Sequence, residues 1–459
     1  MSTRSFPRSA QILAKNRQHI PGGVVSVNRA TQPEIVFVRG EGARIWDAEG
    51  NSYLDYHAAF APHFLGHNDP HVSEAVHKCL RDQLSLFGSG TTEFEGRLAE
   101  LICQNIPWVE GIQFLNTGSE ATYHAIRLAR AITGRDDIMA TQGAYHGWHN
   151  DVASNLMTPL EQLGPRISPG EYAFWPISAG IPETHKQLVH TVNFNDLNSV
   201  RWVCERVPIA ALIVEPILQN IGLVKPLPGY LAGLRTLADE FEFVLIFDEV
   251  KTGFRHAIGG FSELSGVHPD LVVYGKAIAN GYPIAALGGK SSFLEYTVHP
   301  DPRKRVLVAG TYNAHPVSIM AAIATIERLV TDSGAVYKHV EKLGKQLENG
   351  VISMLEDQGI TGTLVRQGSA FCLYFMSHAP VDWHDLASSH LFSVDNAMRR
   401  GLIDKGIYFF PLASKQCSIS AAHTTEDISH TLTEWRSVLE SMTKEIATCD
   451  LFDRASRAV

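Results

Sequence analysis

From about residue 95 to 290, short apolar runs alternate with helical patterns, and this limits the possible folds more than any other feature of the chain. IQFLN (112–116) precedes SEATYHAIRLARAIT, and AALIVEP (210–216) precedes GYLAGLRTLADEF. FVLIFDEV (243–250) and LVVYGK (271–276) are two further apolar runs of strand length. The runs are nearly continuous rather than alternating with polar residues, as strands covered on both faces should be. Strand, helix and strand in series predict an α/β domain built on a mostly parallel sheet.

The flanks differ. Residues 35–56, IVFVRGEGARIWDAEGNSYLDY, alternate and carry turn signals at GEG and DAEGN, so they predict short strands. After about 320 come a long helical stretch, a strand pair in LVRQGSAFCLYF, and a final helix near 425–447. With 459 residues the chain is too long for one small domain. The expected division is 1–75 and 326–459 forming a smaller α+β domain from both chain ends, around a larger domain at 76–325.

Composition narrows the function classes. Apolar residues at 45% and charged ones at 19% suit a globular protein with a substantial core. A net charge of −9 without any basic block argues against nucleic acid and anionic membrane as partners. Six cysteines, at 79, 103, 204, 372, 417 and 449, form no CxxC pair. They indicate neither a disulfide framework nor a zinc site, and they fit a reducing, cytoplasmic compartment. No apolar run approaches the length of a membrane span. The early basic residues Arg4, Arg8, Lys15 and Arg17 belong to an expected amphipathic helix, SAQILAKNRQHI, stopped by Pro21-Gly22-Gly23, rather than to a transit peptide.

Ligands of open α/β sheets bind beyond the carboxyl ends of the strands. After IQFLN, Thr117-Gly118-Ser119-Glu120 opens a helix. Its amides and hydroxyls can cradle an anion, or the segment is a plain capping box. Asp248 ends VLIFD and can meet a cationic ring nitrogen, or serve as a structural cap. Lys276 leaves an apolar strand directly after Gly275. In a pocket it would lose basicity and become a nucleophile; at a surface it would snorkel to water. Together an anion cradle, a carboxylate and a reactive lysine at three strand ends are what pyridoxal 5'-phosphate requires.

The order and context of FLNTGSEATYHAIRLARAITGRD, AYHGWH, LIVEP, LIFDEVKTGFR, PDLVVYGKAIANGYP and GTYNAHP are specific. Over residues 20–428, the chain resembles the class III aminotransferases among the fold-type I pyridoxal-phosphate enzymes. Within them it is most similar to the glutamate-1-semialdehyde 2,1-aminomutase branch. The resemblance implies a large domain with a seven-stranded, mostly parallel sheet. It implies that Lys276 forms the Schiff base with the cofactor and then shuttles a proton, and that Asp248 keeps the ring nitrogen protonated. Gly118 and Ser119 would bind the phosphate, and Tyr145 and Val250 would pack on the two ring faces. Glu215 and Asn220 would line the pocket near the cofactor hydroxyl. Thr311 would reach the phosphate of a neighbouring subunit, making each site a product of a homodimer.

Two rival chemistries are weaker. The chain has 21 histidines, among them His63, His67, His71, His146 and His149, but HxxH without an acid at helical spacing is a poor metal signature. No GxGxxG follows a strand, against a nicotinamide enzyme.

The substrate is less legible. Arg29 matches the arginine that handles a carboxylate in the aminomutases, and a guanidinium can clamp a carboxylate with two parallel hydrogen bonds. Lys415, in YFFPLASKQCSIS, stands where the aminomutases carry a glutamate, and Asn313-Ala314-His315-Pro316 departs from their usual GNP. The reading is therefore an aminotransferase that takes its amino group from a β- or ω-amino acid or an amine and delivers it to a keto acid or aldehyde. The alternatives are the aminomutase itself and a non-catalytic cofactor-binding protein.

Overall fold

The structure is a computed structural model that describes residues 4–456, with side chains to Met442. The chain forms two compact units: 1–69 with 338–379 and 389–459, and 70–337 with 380–388.

The smaller unit begins with helix Pro7–Asn16, which Pro21–Gly23 follows as a single turn. Strands β1 (Phe37–Glu41), β2 (Arg44–Asp47) and β3 (Ser52–Asp55) form an antiparallel meander, with turns at the predicted GEG and DAEGN. The segment after β3 turns left-handed, with Ala58, Ala59, Phe60 and Ala61 at φ of 48, 55, 66 and 84°.

The larger unit holds seven strands: β4 (Gly111–Leu115), β5 (Asp137–Thr141), β6 (Val189–Val192), β7 (Ile209–Val214), β8 (Val244–Asp248), β9 (Leu271–Tyr274) and β10 (Ala285–Gly289). Their order is β4-β10-β9-β8-β7-β5-β6. Every neighbouring pair from β9 to β6 is parallel, and β10 alone runs antiparallel to both its neighbours. β7 to β10 are buried throughout, and the sequences of β7, β8 and β9 are accordingly apolar runs. Helix Gly118–Thr133 covers one face. Its Ala121, Ala125, Ile126, Leu128 and Ala129 pack on Leu115, Ile213, Ile246, Val273 and Leu287. The small residues on that helix let it lie close to the sheet. Segment 380–388 belongs to this unit: Trp383 Nε1 donates to Thr158 O at 2.8 Å, and Arg166 pairs with Asp382 at 2.8 Å.

The chain returns to the smaller unit with β11 (Thr363–Gln367) and β12 (Ala370–Tyr374), the predicted strand pair, then β13 (Ile407–Tyr408) and β14 (Cys417–Ser418). β13 joins β3 in parallel, so strands from both chain ends share one sheet. β14 pairs with β12. Leu54, Tyr56, Leu343, Leu347, Phe371, Met398 and Trp435 form this unit's core. The last helix is Thr425–Ser456, longer than its sequence pattern indicated. Among the described residues, no helix is long and apolar enough to cross a membrane.

Candidate active site

Because β4, β5, β7, β8 and β9 are parallel, their carboxyl ends open at one edge of the sheet, and the loops after them meet in a single cavity. The antiparallel β10 brings Tyr282, Pro283 and Ile284 to the same edge from the opposite direction. The cavity is lined by Asn116, Gly118, Ser119, Tyr145, His146, Glu215, Asn220, Asp248, Val250, Lys251 and Lys276, among others.

After β4, the helix start is indeed a capping box. Thr117 Oγ1 accepts from the Glu120 amide at 3.3 Å, and Glu120 Oε2 accepts from the amides of Asn116 and Thr117 at 2.8 and 3.0 Å. The box does not exclude an anion site, because it uses other donors. Among the described residues, no acceptor faces the amides of Gly118 and Ser119. Those two first-turn amides, at the positive end of the helix, suit an anion such as phosphate. Ser119 Oγ accepts from the Trp148 amide at 3.3 Å, which leaves its own proton to donate. Gly147, at φ 125°, passes so close that a Cβ there would sit 2.6 Å from Ser119 Oγ.

After β8, Asp248 is 4% exposed. Its Oδ1 accepts from the Val250 amide at 3.0 Å, and its Oδ2 pairs with His146 Nδ1 at 2.8 Å. The Val250 side chain sits between two glycines: a Cβ on Gly118 would lie 3.1 Å from it, and one on Gly275 3.3 Å. After β7, Glu215 is buried and accepts three hydrogen bonds, from the Tyr145 amide and Asn220 Nδ2 at Oε1 (2.9 Å each) and from the Gln219 amide at Oε2 (3.0 Å). Burial, and then the charge of Asp248, push its carboxyl above the usual range.

After β9, Gly275 is extended and Lys276 takes a left-handed φ of 48°, an unusual conformation for a side chain to adopt. Burial lowers the pKa of the ammonium, and the charges of Asp248 and Glu215 act against that shift. Easier loss of the proton makes the amine a nucleophile.

The structure thus gathers eight of the residues singled out above: Gly118, Ser119, Tyr145, Glu215, Asn220, Asp248, Val250 and Lys276. Thr311 is elsewhere in the same unit. It is exposed and lines a second hollow with Ser85–Thr92, in a loop whose Asn313 Oδ1 accepts from Asn116 Nδ2 at 3.0 Å. Arg29 and Lys415 belong to the smaller unit. Arg29 is exposed at the end of a single turn, Val27–Arg29, and Lys415 is partly buried with its main-chain oxygen accepting from Arg399 at 2.9 Å.

The sequence reading missed three features. His146 appeared there as part of a motif and as a rival metal ligand, yet its imidazole meets Asp248, while His149 turns to Thr122 Oγ1 at 3.1 Å. His67 binds Asp55 Oδ2 at 2.7 Å. Lys251 and the β10 approach carrying Tyr282 also line the cavity without a sequence signal that assigns them there. VKTG gives Lys251 away only as a charge next to a buried strand.

The family described as aminotransferase class-III matches residues 25–438. The chain belongs to the class III aminotransferases. It is 37% identical to glutamate-1-semialdehyde 2,1-aminomutase 2 of Brevibacillus brevis over 431 residues, 93% of this chain and 96% of that protein. Among solved structures, an omega-transaminase from Sphaerobacter thermophilus is similar at a TM-score of 0.85 and 29% identity, covering 94% of this chain and 97% of that one. A transaminase with PLP bound is similar at 0.84 and 27% identity, covering 96% and 99%. As a class III aminotransferase, the protein is an enzyme of the fold-type I architecture, and its cofactor is pyridoxal 5'-phosphate. The residues present fit that group: two amides without an acceptor at a helix start, a buried carboxylate and a lysine of lowered basicity.

Proposed function

We propose that this class III enzyme is an aminotransferase that takes an amino group from a β- or ω-amino acid or an amine and delivers it to a keto acid or aldehyde. The observation that carries the reading is the convergence of Lys276, Asp248 and the Gly118–Ser119 amides in one cavity. Similarity to an omega-transaminase supports the donor class. Lys415, where the aminomutases carry a glutamate, speaks against the aminomutase substrate.

Bound pyridoxal phosphate supplies an aldehyde to carry the amino group and a ring to accept electrons. The chain supplies the rest. The amides of Gly118 and Ser119, with the Ser119 hydroxyl, hold the phosphate. Asp248, held by His146 and the Val250 amide, would meet the ring nitrogen and keep a proton on it. Tyr145 and Val250 confine the ring, and Glu215 and Asn220 line the side of its hydroxyl. Lys276, whose burial favours the neutral amine, would be the group that holds the aldehyde carbon and moves the proton at the reacting carbon. Arg29 and Lys415 are the candidate groups for a substrate carboxylate. Thr311 completes the phosphate site of a second copy, so the active species is a homodimer; the compartment is the cytoplasm.

The aminomutase remains the second reading because the curated relative is named for it. The two differ in their need for a partner substrate. Incubation with glutamate-1-semialdehyde alone should leave it without quantitative isomerisation, whereas a donor with a keto acid should yield a new amine and a new carbonyl. Quantitative conversion to 5-aminolevulinate without any acceptor would overturn the aminotransferase reading in favour of the mutase.

A further inference from the structure

A second lysine lines the cavity. Lys251 stands three residues after Asp248 and is 7% exposed. Its Nζ donates to the main-chain oxygen of Gln219 at 2.8 Å. The Gln219 amide in turn donates to Glu215 Oε2 at 3.0 Å, while Asn220 Nδ2 and the Tyr145 amide both reach Glu215 Oε1. One hydrogen-bonded chain therefore runs from Lys251 through Gln219 to Glu215 and joins the loop after β8 to the loop after β7. The Gln219 side chain is fixed as well, with Nε2 2.6 Å from His256 Nε2. Burial pushes that imidazole down to about 3, so it is neutral at pH 7 and can accept from the amide. A buried ammonium is costly unless fixed acceptors repay its lost hydration. An apolar chain of the same length would fill this volume without that cost, so the useful property of Lys251 is what its charge and donors hold.

We propose that Lys251 is a positioning residue of the cofactor pocket. Its ammonium fixes the Glu215–Asn220 turn and, through that turn, the placement of Glu215, Asn220 and the Tyr145 main chain around pyridoxal phosphate. This rests on the reading that the cavity is the cofactor site. Lys251 acts through its neighbours and does not take the place of Lys276.

The test titrates apoprotein with pyridoxal phosphate and follows the visible absorption and the induced circular dichroism of the bound cofactor, with the melting temperature of each apoprotein as control. Lys251→Met should weaken cofactor binding about tenfold, the loss of one charge-assisted hydrogen bond. It should also change the induced dichroism per bound cofactor, while the apoprotein melts within a few degrees of wild type. Lys251→Arg, which keeps the charge, should recover most of the affinity. Unchanged affinity and dichroism in Lys251→Met would overturn the proposal, as would a loss confined to the melting temperature. If Lys251→Met does not fold, Lys251→Gln decides by the same two readouts: wild-type binding contradicts the role and weakened binding supports it. Failure of the wild-type protein to bind the cofactor would instead overturn the assignment of the cavity.

Discussion

At Lys276 two requirements oppose each other. An amine that must be neutral to react is best buried, and a lysine that must be folded is best exposed. The site accepts the cost, and the sign of the resulting pH dependence follows. Burial lowers the folded-state pKa below the ordinary value of 10.5. Between those two values the unfolded chain carries the extra proton, so this group's contribution to stability rises with pH through that window and is least favourable below it. Lys276→Met should therefore raise the melting temperature of the apoprotein by a few degrees at pH 7, with the gain shrinking toward pH 10.5. Thermal melts at the two pH values measure it, and a variant less stable than wild type at pH 7 would contradict it. Lys276→Ala should abolish turnover while the fold survives; unchanged turnover would refute the role. Lys276 was visible in the sequence because an ammonium straight after VVYG is chemically conspicuous. The hydrogen bond from His146 to Asp248 was not, because 102 residues separate the two and only the sheet order brings β5 and β8 to one edge.

Backbone conformation decides what the elements between these residues tolerate. Gly147 is at φ 125°, and a methyl group there would strike Ser119. Gly147→Ala should weaken pyridoxal phosphate binding at least ~10-fold, by displacing the Ser119 hydroxyl and straining the turn. Equilibrium titration of the apoprotein tests it, and wild-type affinity would rule it out. The left-handed run after β3 makes the opposite case. Ala59 is exposed at φ 55°, a conformation that costs an alanine roughly 1–2 kcal/mol. Ala59→Gly should stabilise the protein by roughly 0.5–1 kcal/mol, since glycine's greater freedom in the unfolded chain offsets part of the relief. Denaturant melts give the number, and a destabilised variant would show that the methyl group makes a contact worth more than the strain. Strands β4, β7, β8 and β9 were legible because large apolar residues dominate them. β5 (DIMAT), β6 (VHTV) and β10 (AALGG) are no shorter than β9 but hold small or polar residues, and their strand state comes from pairing with neighbours. The place of segment 380–388 is likewise tertiary, set by bonds such as Trp383 to Thr158 across 225 residues.

The molecule as a whole carries buried histidines that tie its stability to pH. Burial lowers His149 and His423 to about 4 and His256 to about 3, from 6.5. Below pH 6.5 the unfolded chain takes up protons that these folded-state rings refuse, so stability is lost as pH falls from 6.5 toward 4. Glu215 and Glu249 work in the other direction, because burial raises both carboxyls and the folded state holds their protons above pH 4.5. Asp55, Asp151 and Asp395 are lowered and matter only below about 3.8. His124 is lowered by burial as well, so with four histidines against two glutamates the apoprotein's melting temperature should fall between pH 6.5 and pH 4; a flat or rising profile would contradict the balance. The broad architecture was readable from sequence because it depends on patterns repeated over hundreds of residues. The substrate was not, because it depends on where single groups such as Arg29 and Lys415 point. The central claim is amino transfer, and a half-reaction tests it most directly. The holoprotein is mixed with one amine at a time, α-, β- and ω-amino acids and plain amines, without any acceptor, while the visible cofactor band and the released carbonyl product are measured. The account predicts that β- or ω-amino donors bleach the band and release one carbonyl per site, and that a keto acid then restores it. A band that no amine bleaches, or that recovers without an acceptor while the added compound is merely isomerised, would contradict it.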